Sequence, residues 1–183
     1  MAVSAPNVIF FDMFGKAVCS ALCMNIAIVG LNQVYDRKID MPYLPLASGE
    51  FNASTALFII AFSVLISMLL GVYSDSTPLI CTLVSSLAFG VMYSVDIRML
   101  RWKENPFLAT SCILIVRALI VQIGFYCHAL GSGFLGIELR RNLIFSIFFM
   151  CIYSIVIALF KDIPDIMGDA QEGIQTLSVQ FGV

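Results

Sequence analysis

The stretch NQVYDRKID, residues 32–40, closes an apolar run with one amide and two carboxylates. Asn32, Asp36 and Asp40 recur at i, i+4 and i+8, which on a helix puts them on nearly one face. Two carboxylates with nothing between them repel, so the arrangement calls for a cation. The bland alternative is a solvated helix end carrying a few charges. A second acidic group, Asp162, Asp165 and Asp169, sits in KDIPDIMGD at 161–169. Its i, i+3, i+7 spacing also makes one face if the turn continues, although Pro164 removes a backbone bond there. Oxygen donors without a His or Cys pattern suit hard cations, chiefly Mg²⁺, which keeps positions open for substrate phosphates. The basic run RMLRWK offers Arg98, Arg101 and Lys103 to further phosphate oxygens. The chemistry these residue types suit is a diphosphate site between two acidic clusters.

The elements that must position them are legible from composition. Of 183 residues, 60% are hydrophobic and 12% charged, against about 25% charged in soluble domains. With a mean hydropathy of +0.97, the chain reads as an integral membrane protein. Five apolar runs, roughly 17–35, 53–73, 78–96, 106–127 and 142–161, are candidate spans. They show no period-two alternation, so helices rather than a barrel satisfy the backbone in lipid. The fold class expected is all-α, a multi-pass transmembrane helical bundle of about five spans in one domain over residues 1–183. Residues 5–14 read as too short to cross and suggest an interfacial segment.

Five crossings put 36–52, 97–105 and everything after 161 on one side. That side collects Arg37, Lys38, Arg98, Arg101, Lys103 and Lys161, against Lys16, Arg140 and Arg141 on the other. By the positive-inside rule the first side is cytoplasmic or its organellar equivalent. Both acidic clusters and the basic loop therefore share one membrane face. The net charge of −2 gives no reason to expect nucleic-acid binding. The six cysteines lie in apolar stretches without ligand spacing and read as small lipid- or core-facing residues. His128 reads as a surface residue at a helix end; Tyr43, Trp102 and Phe107 read as interfacial anchors. Arg117 falls mid-span, where a charge costs at least ~2.5 kcal/mol on insertion scales, so it either faces a cavity or pairs within the bundle. No targeting segment is legible at the N-terminus.

Taken in order, NQVYDRKID, PYLPLASGE, YS at 93–94, LRWK at 100–103, VRALIVQ at 116–122 and ALFKDIPDIMGD at 158–169 resemble the UbiA superfamily of intramembrane aromatic prenyltransferases. The likeness is to the plant plastid branch, the homogentisate phytyl- and geranylgeranyltransferases and their flavonoid-prenylating relatives. It runs from about residue 17 to the end. The resemblance implies a bundle of about nine transmembrane helices around a central cavity, of which this chain would hold the second to sixth. It implies prenyl diphosphate and an aromatic acceptor as substrates, membrane lipid as surroundings, Mg²⁺ as cofactor and a plastid membrane as location. By the same resemblance, Asn32, Asp36, Asp40, Asp165 and Asp169 are the catalytic set, and Asp36, Asp40, Asp162, Asp165 and Asp169 the metal ligands. Arg101, Lys103, Lys161 and Arg117 are then the diphosphate contacts, and Tyr93 a candidate aromatic face for positive charge. Two departures stand out: Met41 alone separates Asp40 from Pro42, and Met167 stands where the branch usually has an acid.

Three readings compete. The first is the prenyltransferase. The second is a non-catalytic family remnant that binds lipid or a relative, suggested by the chain length and the two departures. The third, a cation transporter, expects its carboxylates near the bilayer midplane, whereas these lie at helix ends.

Overall fold

The computed structural model describes residues 6–37, 44–97, 100–131, 133–134, 140–161, 163, 166–171 and 179. Its elements are helical throughout: α1 Pro6–Asp36, α2 Ala53–Tyr73, α3 Thr77–Ser94, a 3₁₀ turn Trp102–Glu104, α4 Pro106–Leu114, a π turn Ile115–Ile120, α5 Val121–Ala129, α6 Arg141–Phe160 and a short α7 Ile166–Gln171. α4, the π turn and α5 run on as one span, so five helices are long and apolar enough to cross a membrane. The all-α, five-span expectation holds.

The spans start and stop where local chemistry dictates. Asn52 caps α2 by accepting from the Thr55 amide at 2.7 Å. Asn105 caps α4, accepting from Phe107 and Leu108 with Pro106 in the first turn, where a missing N–H does no harm. α2 and α3 are joined by a turn of three residues, 74–76, in which Asp75 takes a left-handed φ of +49°. An Asp tolerates that region better than most residues.

One boundary differs from the expectation. Residues 6–14 are not a separate interfacial piece but the first turns of α1. Asp12 and Lys16 interrupt the apolar pattern there, yet they are i, i+4 partners and pair with each other across the joint. The Lys16 ammonium also lies over the Tyr73 ring, 4.6 Å from its centroid, so the charge is matched rather than left in the hydrocarbon.

Packing between the helices relies on small residues. α1 buries Ala17, Ser20, Met24 and Ala27, and α2 buries Ala56, Ser63, Ser67 and Gly71. Lipid tails are as apolar as leucine, so close backbone approach and interhelical hydrogen bonds must hold the pair. Ser67 Oγ donates to the Ser20 carbonyl at 2.8 Å, supplying such a bond. Ala17, Met24, Leu79 and Leu83 form the central cluster, with Ile28, Met68, Leu87 and Phe125 packed on it.

α5 closes onto α3 at Gly124, where a Cβ would overlap Thr82 Oγ1. It reaches α1 through His128, which is 3% exposed and bonds the Met13 carbonyl at 3.2 Å. His128 is therefore not the surface residue its place at a helix end suggests, because the long α1 covers it. The six cysteines are free thiols, as expected, with Cys112 and Cys127 buried.

The outer faces carry exposed aromatics. On α6, Phe145, Phe149 and Tyr153 stack at one-turn intervals with centroids 6.4 and 6.3 Å apart. Trp102 is half-buried with its edge to Phe89, while Phe107 is 80% exposed as an interfacial anchor would be. Tyr43 lies outside the described residues.

Two glycines separate packing from propensity. Gly124→Val must force α3 and α5 apart, and overpacking of this kind costs about 1–3 kcal/mol. Gly15, with no atom within 4 Å of a built Cβ, gains helix propensity on change to Ala, by about 0.5–1 kcal/mol. Thermal unfolding in detergent is expected to fall for the first and to hold or rise for the second.

Candidate functional site

The C-terminal ends of α1, α3 and α6 meet the start of α4 at one end of the bundle, and three side-chain contacts tie them together. Asn32 and Asp36 occupy the last two turns of α1. Ser94, the last residue of α3, donates its hydroxyl to Asn32 Oδ1 at 3.1 Å. Asp36, 4% exposed, forms an ion pair with Lys103 of the 3₁₀ turn, itself 8% exposed. Lys161, at the C-cap of α6, lays its ammonium 5.5 Å from the centroid of the Tyr93 ring on α3. A lysine at a helix C-terminus also complements the negative end of the helix dipole.

The basic loop divides its labour. Lys103 turns inward to Asp36. Arg101 turns to the loop itself, with Nη1 3.0 Å from Asp96 and Nε 3.2 Å from Glu104. Arg101 takes a left-handed φ of +62°, and that reversal starts the turn carrying Lys103. A non-glycine residue held there costs of order 1 kcal/mol, which the two ion pairs help to offset.

Among the residues expected from sequence, Asn32, Asp36, Lys103 and Lys161 converge on this end. Arg101 belongs to the same loop but faces its acidic neighbours. Arg117 stands apart, exposed on the π turn and without an ion-pair partner among the described residues. Of the two expectations for it, pairing within the bundle is not what these residues show. Asp40, Asp162 and Asp165 lie outside the described residues. Asp169 falls in α7, of which the backbone alone can be placed at that position. Ser94 is the residue that sequence reasoning passed over. Its signal was a small hydroxyl closing an apolar span next to Tyr93.

The donor chemistry fits a hard cation. Asn32 and Asp36 present only oxygen, one helical turn apart, and Asp36 already engages a cationic group, the Lys103 ammonium. Among the described residues no three His, Cys, Asp or Glu side chains cluster as a complete metal site. Any fuller ligand set has to draw on the acidic residues beyond them.

Comparison with known proteins agrees with this chemistry. The sequence profile of the UbiA prenyltransferase family matches residues 1–183. The chain is 47% identical over 171 residues to the homogentisate geranylgeranyltransferase of Hordeum vulgare, covering 91% of this chain and 42% of that protein. It is 47% identical over 184 residues to homogentisate phytyltransferase 1, chloroplastic, of Arabidopsis thaliana, covering 98% and 47%. To coumarin 8-geranyltransferase 1, chloroplastic, of Citrus limon it is 41% identical over 180 residues, covering 94% and 44%. The chain thus spans a little under half the length of these relatives. No solved structure matches it significantly.

The Asp36–Lys103 pair is testable by itself. Lys103→Met strands a buried carboxylate and is expected to cost about 3–5 kcal/mol, most of it recovered when Asp36→Asn is added. Unfolding of the two single variants and the double variant in detergent measures the coupling directly.

Proposed function

Since the chain belongs to the UbiA prenyltransferase family, we propose that it transfers a prenyl group from a prenyl diphosphate to an aromatic acceptor within a plastid membrane, with Mg²⁺ required. The observation that carries this reading is the convergence of Asn32, Asp36, Lys103, Tyr93 and Lys161 at one end of the bundle. Relatives named as homogentisate and coumarin prenyltransferases, two of them chloroplastic, support the substrate class and the location.

The residues suit the reaction. The allylic C1–O bond breaks with its electron pair leaving on the diphosphate, a ring carbon of the acceptor bonds to C1, and that carbon then loses its proton. Asn32 and Asp36, with the acidic residues of 162–169, would hold the metal. Bound there, Mg²⁺ would supply charge stabilisation to the leaving diphosphate. Lys103 and Lys161 bring two further positive charges within the same end, each currently engaged by a group that a diphosphate can replace. The Tyr93 ring, facing Lys161 now, offers its π face to a cation. Ser94 keeps Asn32 Oδ1 in place, and the apolar helices exclude the water that would quench an allylic cation. Arg101, held by Asp96 and Glu104, sets the loop rather than the phosphate contact.

The test is a membrane assay with labelled geranylgeranyl diphosphate and homogentisate, with Mg²⁺ and with EDTA. Prenylated product that disappears in EDTA is expected. Asp36→Ala and Asp165→Ala are each expected to lower turnover by about 100-fold or more, the scale of losing one preorganised electrostatic group. Product persisting in EDTA or in both variants would overturn the reading. A folded, inserted chain that makes no product with a panel of donors and phenols would favour a binding role instead.

A further inference from the structure

Arg117 is the charged group that the diphosphate chemistry leaves unused. It sits eleven residues beyond Pro106 in a continuous span, roughly 15 Å down the helix axis at the usual rise per residue. The level is fixed independently: Cys112 Sγ lies 3.8 Å from the Phe89 carbonyl, five residues before Ser94 on α3. Arg117 is one further turn and more from the site end. A diphosphate engaged by Lys103 and Asp36 cannot also reach it.

The face it occupies is informative. Counting around the helix, Arg117 shares a side of its span with Phe125 and His128. Phe125 packs on the Ala17, Met24, Leu79 and Leu83 cluster, and His128 bonds Met13 of α1. The lower part of the span is therefore shut against α1. α1 meets α5 but barely meets the π turn or α4. The two walls diverge toward the site end, and the exposed Arg117 stands on the wall of the wedge that opens there.

The backbone at Arg117 is held rather than loose. The π turn brings its carbonyl to Gln122, whose Nε2 donates to it at 3.2 Å, and Ser146 Oγ of α6 donates to Gln122 Oε1 at 2.6 Å. π turns inside helices recur at functional sites. An arginine in mid-membrane, buttressed from behind and lacking an ion-pair partner among the described residues, needs an anion from outside those residues.

We propose that Arg117 is the acceptor-specificity residue of the reaction proposed above, its guanidinium receiving the carboxylate of an acidic phenol in a two-pronged contact. The inference rests on the prenyltransferase reading. The distances suit it: the reacting ring carbon must lie against C1 beside the diphosphate, so a substituent on the far side of the ring points down the wedge to Arg117. The planar fork of an arginine matches a carboxylate bidentately, which a lysine does not.

The test measures binding and kinetics of the full chain in lipid nanodiscs, for wild type, Arg117→Gln and Arg117→Lys. The ligands are labelled homogentisate, its methyl ester and geranylgeranyl diphosphate. Arg117→Gln is expected to weaken homogentisate binding by about 10- to 100-fold, as loss of a charged hydrogen-bonded pair does. Arg117→Lys is expected to recover part of that loss, because it keeps the charge. Neither substitution should alter binding of the ester or of the diphosphate, and intact diphosphate binding certifies the fold. Equal loss for acid and ester overturns the proposal, as does weakened diphosphate binding with the acid unaffected. Wild type that binds the diphosphate but not homogentisate overturns it and leaves the donor reading standing. Wild type that binds neither overturns both.

Discussion

One buried ion pair, Asp36 with Lys103, fixes the relation between the end of the first long helix and the connection that begins the fourth span. Each group is nearly out of water, so neither tolerates loss of the other. The pair determines how the 3₁₀ turn faces the bundle, and with it where Trp102 lies against Phe89 and where Arg101 is free to meet Asp96 and Glu104. Asn32, one turn below, inherits its surroundings from the same anchoring and is completed by Ser94. The candidate site is in this sense a by-product of satisfying one carboxylate.

Beneath that polar end, the bundle obeys the rule that lipid imposes. Every polar atom within the spans has to find a partner from the protein, so serines bond carbonyls and helices touch through Ala, Ser and Gly. Ser67 with Ser20, Gly124 against Thr82 and His128 with Met13 each bring two backbones together. Larger side chains are turned outward, where the stacked rings of α6 meet the hydrocarbon. The inner surface is small and polar, the outer one large and apolar, the reverse of a water-soluble bundle.

Much of this was legible in the sequence, and the misses have physical causes. Run length and charge depletion gave the five spans, because a bilayer demands twenty apolar residues of a helix whatever its partners. The i, i+4 spacing of Asn32 and Asp36 pointed to one face, and the placement of Lys103 on the same membrane side anticipated their meeting. The first turns of α1 were hidden because Asp12 and Lys16 look like a boundary until they are seen as each other's partner. His128 was misjudged because a helix end says nothing about what crosses over it. The Ser94–Asn32 bond joins residues sixty-two positions apart, and no local pattern reports such a pair.

The short turn between α2 and α3 bears on how the protein is made. From Phe51 to Val95 the chain carries a single charge, Asp75, at the apex of that turn. Three residues are too few for the two helices to be threaded separately, so they enter the bilayer together as a hairpin. Its tip has to be carried across while the basic connections on the opposite side stay behind. An acidic residue weighs little in that choice and a lysine or arginine would weigh heavily. Biogenesis therefore constrains this turn as tightly as folding does: a basic residue at position 75, harmless to the finished helices, would oppose the translocation that creates them.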